Sequence, residues 1–316
     1  MTPEADAPAI VRRFPALQSV PRVSLGSRTA VERVTLPDGR SLLVKRDDRF
    51  GDVLGGNKVR GLEWLLGPVR TAEEVLTVGP RGSTHALATA TYATRLGARA
   101  TVVRWNQEMH PVAREVDDRV RAIARTIDAR AVPVAYAIAG AMRLTRRCHW
   151  IPAGGATPLA ILGHVSAALE LVHQCAHGEC ELPRRVVVPL GTGGTAAGLW
   201  LGFAIAGSPI DVIAVRVVPR IVGRTGRVRR LARRTADLLR TLTGERVAEP
   251  DPERLRVEHA FYGGRYGRPL GGDPVDLGRD IRVDATYSEK ALRAALMTLS
   301  GATLFWLTFD GRLLQH

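Results

Sequence analysis

The chain has 316 residues, 45% hydrophobic and 24% charged, an ordinary globular composition long enough for one large α/β domain or two smaller ones. No apolar run approaches the ~20 residues that span a bilayer, and the opening MTPEADAPAIVRRFPAL lacks the basic-then-apolar layout of a secretory signal; a soluble, cytoplasmic protein with no membrane partner is expected. Three cysteines, Cys148, Cys175 and Cys180, are too few and too odd in number for a disulfide framework, and the formal charge of +14 is carried mostly by arginines spread along the chain.

In chain order, Val34–Leu36 and Leu42–Lys45 flank Pro37-Asp38-Gly39-Arg40, and the turn residues predict a β-hairpin. A glycine-rich stretch, Gly51 to Asn57, then leads into a helix from Lys58 to about Leu66. Val75–Val78 reads as a strand, His85–Leu96 as a helix, Ala100–Arg104 as a strand and Val112–Ile127 as a charged amphipathic helix. Pro158–Gln174 is a helix, Val186–Leu190 a strand, Thr195–Ala206 a helix and Val212–Val218 a strand. A basic helix follows, with Leu231, Leu238 and Leu239 at helical spacing. Its arginines (Arg224, Arg227, Arg229, Arg230, Arg233 and Arg234) read as a solvated face, which is preferred over a nucleic-acid surface. Glu289–Leu299 is a helix and Thr303–Thr308 a closing strand. Alternating strands and helices imply a mostly parallel sheet covered on both faces. The best linker candidate is His177–Pro183.

Ligands of such sheets bind at the carboxyl ends of strands, beside helix N-termini. Gly79–Thr84, Gly154–Thr157 and Gly191–Thr195 occupy that position. Gly191-Thr192-Gly193-Gly194-Thr195 follows VVVPL and opens a helix, so its N–H groups can converge on an anion. We read it as a phosphate cup rather than a plain turn; it matches neither the Walker nor the dinucleotide spacing. Lys58 opens a helix after Gly55-Gly56-Asn57, where the positive dipole end lowers an amine's pKa. Two readings stay open for it on local chemistry: a Schiff-base lysine or a solvated surface one. Ser83, in Ser83-Thr84-His85, suits a helix cap and also a carboxylate site. Ser288, in Tyr287-Ser288-Glu289-Lys290, suits a cap or a partner for a cofactor ring nitrogen.

Five stretches in this order resemble the aminocyclopropane-carboxylate deaminase and D-cysteine desulfhydrase family: VKRDDRFGDVLGGNKVRGLEWLL, VGPRGSTHALATATYATRLG, IPAGGATPLAILGHVSAALEL, VVVPLGTGGTAAGL and DATYSEKALRAAL. The resemblance runs from about residue 42 to 308. It implies an α/β, tryptophan synthase β-like fold of two three-layer α/β/α domains with mostly parallel sheets. Residues 1–61 and 166–316 would form the larger, cofactor-binding domain and 62–165 a smaller inserted one. It further implies pyridoxal 5'-phosphate as cofactor and a homodimer as assembly. Lys58 would carry the cofactor and act as α-proton base. Gly191, Thr192, Gly193, Gly194 and Thr195 would cup its phosphate, with Asn57 and Thr84 in the cofactor set. Ser83, Thr84 and His85 would receive the substrate, Tyr287 and Tyr266 would be active-site tyrosines, and Ser288 would meet the pyridine nitrogen. The chain departs from the family at Gly82 and Thr84, where Gln and Asn are usual, and at Thr308-Phe309-Asp310-Gly311, in place of Thr-Gly-Gly.

The expected chemistry is α-proton abstraction from a small amino acid followed by β-elimination to a keto acid and ammonia. A serine hydroxyl at 288 does not hold a ring nitrogen protonated, so a D-cysteine desulfhydrase-like lyase is favoured over a cyclopropane deaminase. Racemase, dehydratase and synthase chemistry on the same scaffold are alternatives, as is an inactive or nucleic-acid-binding relative. The ligand types of His173, Cys175, His177 and Cys180 suit zinc, but their spacing matches no common site, so no metal is expected.

Overall fold

The computed structural model describes residues 7–311 except 53, 273, 274, 276, 279, 280, 300 and 310. After a short helix α1 (Ala9–Arg13), β1 (Val31–Thr35) and β2 (Ser41–Lys45) form the expected antiparallel hairpin. Its turn closes through the Leu36 N–H on the Arg40 carbonyl at 2.7 Å. There follow α2 (Lys58–Leu65), β3 (Glu74–Pro80), α3 (Thr84–Arg95), β4 (Arg99–Trp105), α4 (Pro111–Ile123) and β5 (Arg125–Ala129). Next come α5 (Val132–Thr145), β6 (Cys148–Ile151), α6 (Pro158–Ala176), β7 (Arg185–Leu190) and α7 (Gly194–Ile205). The chain continues through β8 (Asp211–Arg216), α8 (Thr225–Thr243), β9 (Leu255–Glu258), α9 (Ser288–Met297) and β10 (Thr303–Trp306).

The strands form a six-stranded sheet, ordered β1-β2-β10-β7-β8-β9, and a four-stranded sheet, ordered β5-β4-β3-β6. Among the described residues every pairing except β1 with β2 is parallel. Strands buried on both faces need apolar residues at consecutive positions, and β7 shows why its run VVV is continuous. Val186 and Val188 pack into the core shared by α6, α7 and α8, while Val187 packs into the core beneath α9. The four-stranded sheet is covered likewise, by α2 and α3 on one face and α5 on the other. The expected pair of three-layer α/β/α assemblies is therefore present.

Helix α6 is central to both. Thr157 caps it by accepting the Ala160 N–H at 3.2 Å, and Pro158 fills its first position. By length and composition α6 could cross a membrane, but 67% of it is buried inside the protein, and it is a core helix. It runs through residue 165, where the sequence-based division placed a boundary. Gly163 lets α2 lie directly on α6, since a Cβ there would sit 2.0 Å from the Arg60 carbonyl oxygen.

A buried ionic network fastens α2 from behind. Arg60 bonds Asp47 at 2.7 Å and Glu170 at 3.0 Å, Lys45 bonds Glu170 at 2.6 Å, and Trp306 donates its indole N–H to Asp47 at 2.8 Å. Burial opposes the charge of Glu170, but Arg60 and Lys45 outweigh it and hold the carboxyl at about 2.

The sequence and the structure part company between α4 and α6. The helix expected over Val112–Ile127 ends at Ile123, and Arg125–Ala129 is instead an edge strand paired with Thr101–Trp105. Arg125 and Asp128 extend the charged helical pattern, while the β-branched Thr126 and Ile127 pair with β4. Helix α5, β6 and β9 had no counterpart in the sequence reading; β6 and β9 have only four residues each. The linker candidate His177–Pro183 connects α6 to β7.

Candidate active site

One cavity of about 420 Å³ lies where the carboxyl ends of β3, β4 and β7 meet the N-termini of α2, α3 and α7. Lys58, Asn57, Ser83, Thr84, His85, Gly191 to Thr195, Tyr266 and Tyr287 all line it. Helix α2 starts at Lys58, with Asn57 as its N-cap. Burial lowers the Lys58 amine to about 8. Among the described residues no carboxylate lies within ion-pair distance of Lys58 Nζ. Desolvation is the cause of this shift.

Asn57 ties this turn to the glycine-rich loop at 191–195. Its Nδ2 donates to Thr195 Oγ1 at 2.9 Å, and its buried Oδ1 has no partner. At the loop itself, Gly193 is the N-cap of α7 in the left-handed region, with φ +95°. The N–H groups of Gly194, Thr195 and Ala196 occupy the first turn of α7, where no intrahelical acceptor exists. Arg227, from the first turn of α8, donates its Nε to the Thr192 carbonyl at 2.8 Å.

On the opposite side Ser83 caps α3, its Oγ accepting the Ala86 N–H at 3.2 Å. The cap reading is therefore correct, and the hydroxyl keeps its own proton to donate into the cavity. His85 is buried, and burial together with the nearby Lys58 charge lowers it to about 3, so the imidazole is neutral. The departure at Gly82 has a backbone cause. Its φ is +74°, and a Cβ would lie 2.5 Å from the Ala113 carbonyl oxygen, so a side chain does not fit there.

Tyr266 and Tyr287 share a hydrogen bond between their hydroxyls, with rings edge to face at 5.9 Å. Burial pushes Tyr266 up to about 12 and Tyr287 well above the usual phenol value, so both stay protonated. Asp284 orders their segment by accepting the N–H groups of Thr286, Tyr287 and Ser288 at 3.1, 2.8 and 2.9 Å. Ser288 is the one predicted site residue that does not line the cavity. It is fully buried, its hydroxyl near the Asp284 carboxylate without a well-formed bond. Asp310 lies outside the described residues, whereas Thr308 and Phe309 line the cavity.

Sequence reasoning missed His164, Trp105, Tyr136 and Arg227, which also line the cavity. His164 is buried on α6 with Nδ1 unpartnered, and burial with the Lys58 charge keeps it neutral. Elsewhere on α8 the expectation is met: Arg229, Arg230, Arg233 and Arg234 are exposed, while Val228, Leu231 and Leu239 are buried. His173 and His177 stack on each other at 3.9 Å. Among the described residues no group of three or more His, Cys, Asp or Glu side chains is arranged to hold a metal ion.

The residues present fit pyridoxal phosphate: a low-pKa amine, a first helical turn of free N–H groups and an orphaned amide oxygen share one cavity. The comparisons agree. Residues 27–263 match the family described as pyridoxal-phosphate dependent enzyme. The chain is 38% identical to nocardicin C-9' epimerase of Nocardia uniformis subsp. tsuyamanensis, over 93% of this chain and 94% of that one. It is 30% identical to D-cysteine desulfhydrase of Salmonella choleraesuis, over 91% and 89% of the two chains. Its fold superposes on the ACC deaminase homologue with a TM-score of 0.76 at 28% identity, covering 96% of this chain and 95% of the other. The chain belongs to the pyridoxal-phosphate dependent enzymes, and within them to the aminocyclopropane-carboxylate deaminase and D-cysteine desulfhydrase type.

Proposed function

We propose that the protein takes the α-proton from an amino acid with Lys58 and expels the β-substituent, giving a keto acid and ammonia in the manner of a D-cysteine desulfhydrase. The observation that carries this reading is the Lys58 amine. It is half-buried at the cavity wall, without a counter-ion among the described residues, and in the same cavity as the glycine-rich loop at 191–195. When bound, pyridoxal phosphate supplies the electron sink that makes an α-proton acidic. The chain supplies the rest. The first-turn N–H groups of α7 hold the phosphate, with the helix dipole adding to them. Ser83 Oγ and the N-terminus of α3 receive the substrate carboxylate. Lys58, able to be neutral near pH 8, accepts the proton at Nζ. Tyr266 and Tyr287, both protonated, donate hydrogen bonds toward a departing β-group.

Borohydride treatment of the yellow holoprotein should bleach it and leave the cofactor on the Lys58 peptide. A label on any other lysine sinks the assignment. Keto-acid formation from D-cysteine and β-chloroalanine is the expected activity, and turnover of aminocyclopropane carboxylate alone would reverse the choice of substrate.

A second reading, epimerisation at the α-carbon, is supported by the 38% identity to an epimerase over almost the whole chain. It starts with the same proton abstraction and ends with reprotonation on the other face. Loss of optical activity with solvent deuterium uptake, and no keto acid, is its signature. We extend either reading to a cytoplasmic homodimer divided at residues 61 and 165. Support comes from the prevalence of two-fold dimers and from the four-stranded sheet lying wholly within 74–151.

A further inference from the structure

We propose that the outer wall of the cavity is a side-chain subsite for an amino acid that carries an aryl group with a distal carboxylate. The inference rests on the cofactor and α-proton reading above and names the substrate class.

The cavity does not end at Lys58. It continues to Trp105, Val132, Tyr136, Val222 and Arg227. Tyr136 stacks on Trp105 at 6.5 Å and meets Trp150 edge-on at 6.4 Å. Val132 and Tyr136 are each 43% exposed, so an apolar, aromatic surface faces the opening uncovered. This wall adjoins the substrate loop: Trp105 pairs with Pro80 across β4 and β3, and Ser83 follows Pro80 by three residues. A side chain ending one atom beyond Cβ leaves the wall bare. An aryl group covers it and gains the offset and edge-on contacts that aromatic rings prefer.

Arg227 supplies the charge. Its Nε is taken by the Thr192 carbonyl, and among the described residues its Nη groups make no hydrogen bond or ion pair. Tyr136 is close enough to feel this guanidinium. A planar fork of donors lining the same cavity as the aromatic wall suits a carboxylate carried on the far side of a ring.

The test uses apoprotein and stable N-phosphopyridoxyl conjugates of alanine, of S-(4-carboxyphenyl)cysteine and of its carboxamide, in both enantiomers, with affinity read by calorimetry. One enantiomer of the aryl acid conjugate should bind about tenfold to a hundredfold tighter than the alanine conjugate. Tyr136→Ala should remove that advantage and leave the alanine conjugate unchanged. Val132→Asp, at an exposed position on the first turn of α5, should do the same by repelling the carboxylate. Arg227→Gln should erase the preference for acid over carboxamide. Equal affinity for the alanine and aryl conjugates overturns the subsite while the cofactor reading stands. Binding of neither conjugate overturns both.

Discussion

Lys58 and Arg60 sit two residues apart on α2, on different faces of it, and meet opposite treatment. Burial opposes the Arg60 charge, but Asp47 and Glu170 outweigh it and raise its pKa. Burial opposes the Lys58 charge too, and among the described residues no carboxylate pairs with it, so its pKa falls to about 8. The same helix therefore carries a cation locked into the core and an amine held ready to lose its proton. The difference lies mainly in the partners: Arg60 is buried among anions, whereas Lys58 is half-buried at the cavity wall with none beside it. A buried cation with a full set of anions is structure, and a partly desolvated amine without one stores free energy that a reaction can use.

Removing each member in turn sharpens the contrast. Lys58→Ala should lower kcat/KM about 10⁴-fold, the upper end for a lost acid–base group, with no loss of thermal stability in the apoprotein. Arg60→Met should do the reverse: a destabilisation of about 3–5 kcal/mol by urea unfolding, because Asp47 and Glu170 are left buried and unpaired. Lys58→Met should stabilise the apoprotein at pH 7 by up to about 3 kcal/mol, less where water in the cavity screens the amine. The sign follows from linkage. The folded pKa of about 8 lies below the usual lysine value of 10.5, so the unfolded chain binds more protons between them, and the Lys58 penalty is present below pH 8 and fades toward 10.5. The stabilisation by Lys58→Met should therefore vanish at high pH, and a pH-independent gain would contradict the shift. Glu170 has the opposite dependence: its folded value of about 2 lies below 4.5, so its stabilisation is present above 4.5 and lost as pH falls through 2. The smallest expected effect is Trp306→Phe, which removes one bond to Asp47 and should cost about 2 kcal/mol.

The site was legible in the sequence where its signals are local. Gly193 and the small residues around it stand out as a candidate anion loop because a strand precedes them and a helix follows, as the structure shows. Lys58 and Ser83 stand at helix starts, where composition already hints at position. His164 and Arg227 gave no such hint. His164 sits inside an apolar helix, where a histidine reads as core. Arg227 is hidden among arginines that face solvent. The available signal for Arg227 was its place in the first helical turn after β8, at the ligand-binding edge of the sheet. Tyr136 was invisible because α5 itself was not recognised, its sequence being apolar nearly all round. Ser288 stands apart from the others: its hydroxyl is buried and unpartnered beside Tyr287 but is not among the groups that line the cavity.

The chamber has walls of separate ownership. Helix α2, which carries Lys58, is fastened through Arg60 by a network whose anions are Asp47 and Glu170, and the glycine-rich loop at 191–195 leaves the six-stranded sheet at β7. Trp105 and Tyr136 belong to the four-stranded sheet and its cover. Substitutions in α5 or at the tip of β4 therefore change which molecule is admitted without disturbing the reactive amine. A lineage built on this scaffold can exchange substrates through one wall while the other keeps the chemistry.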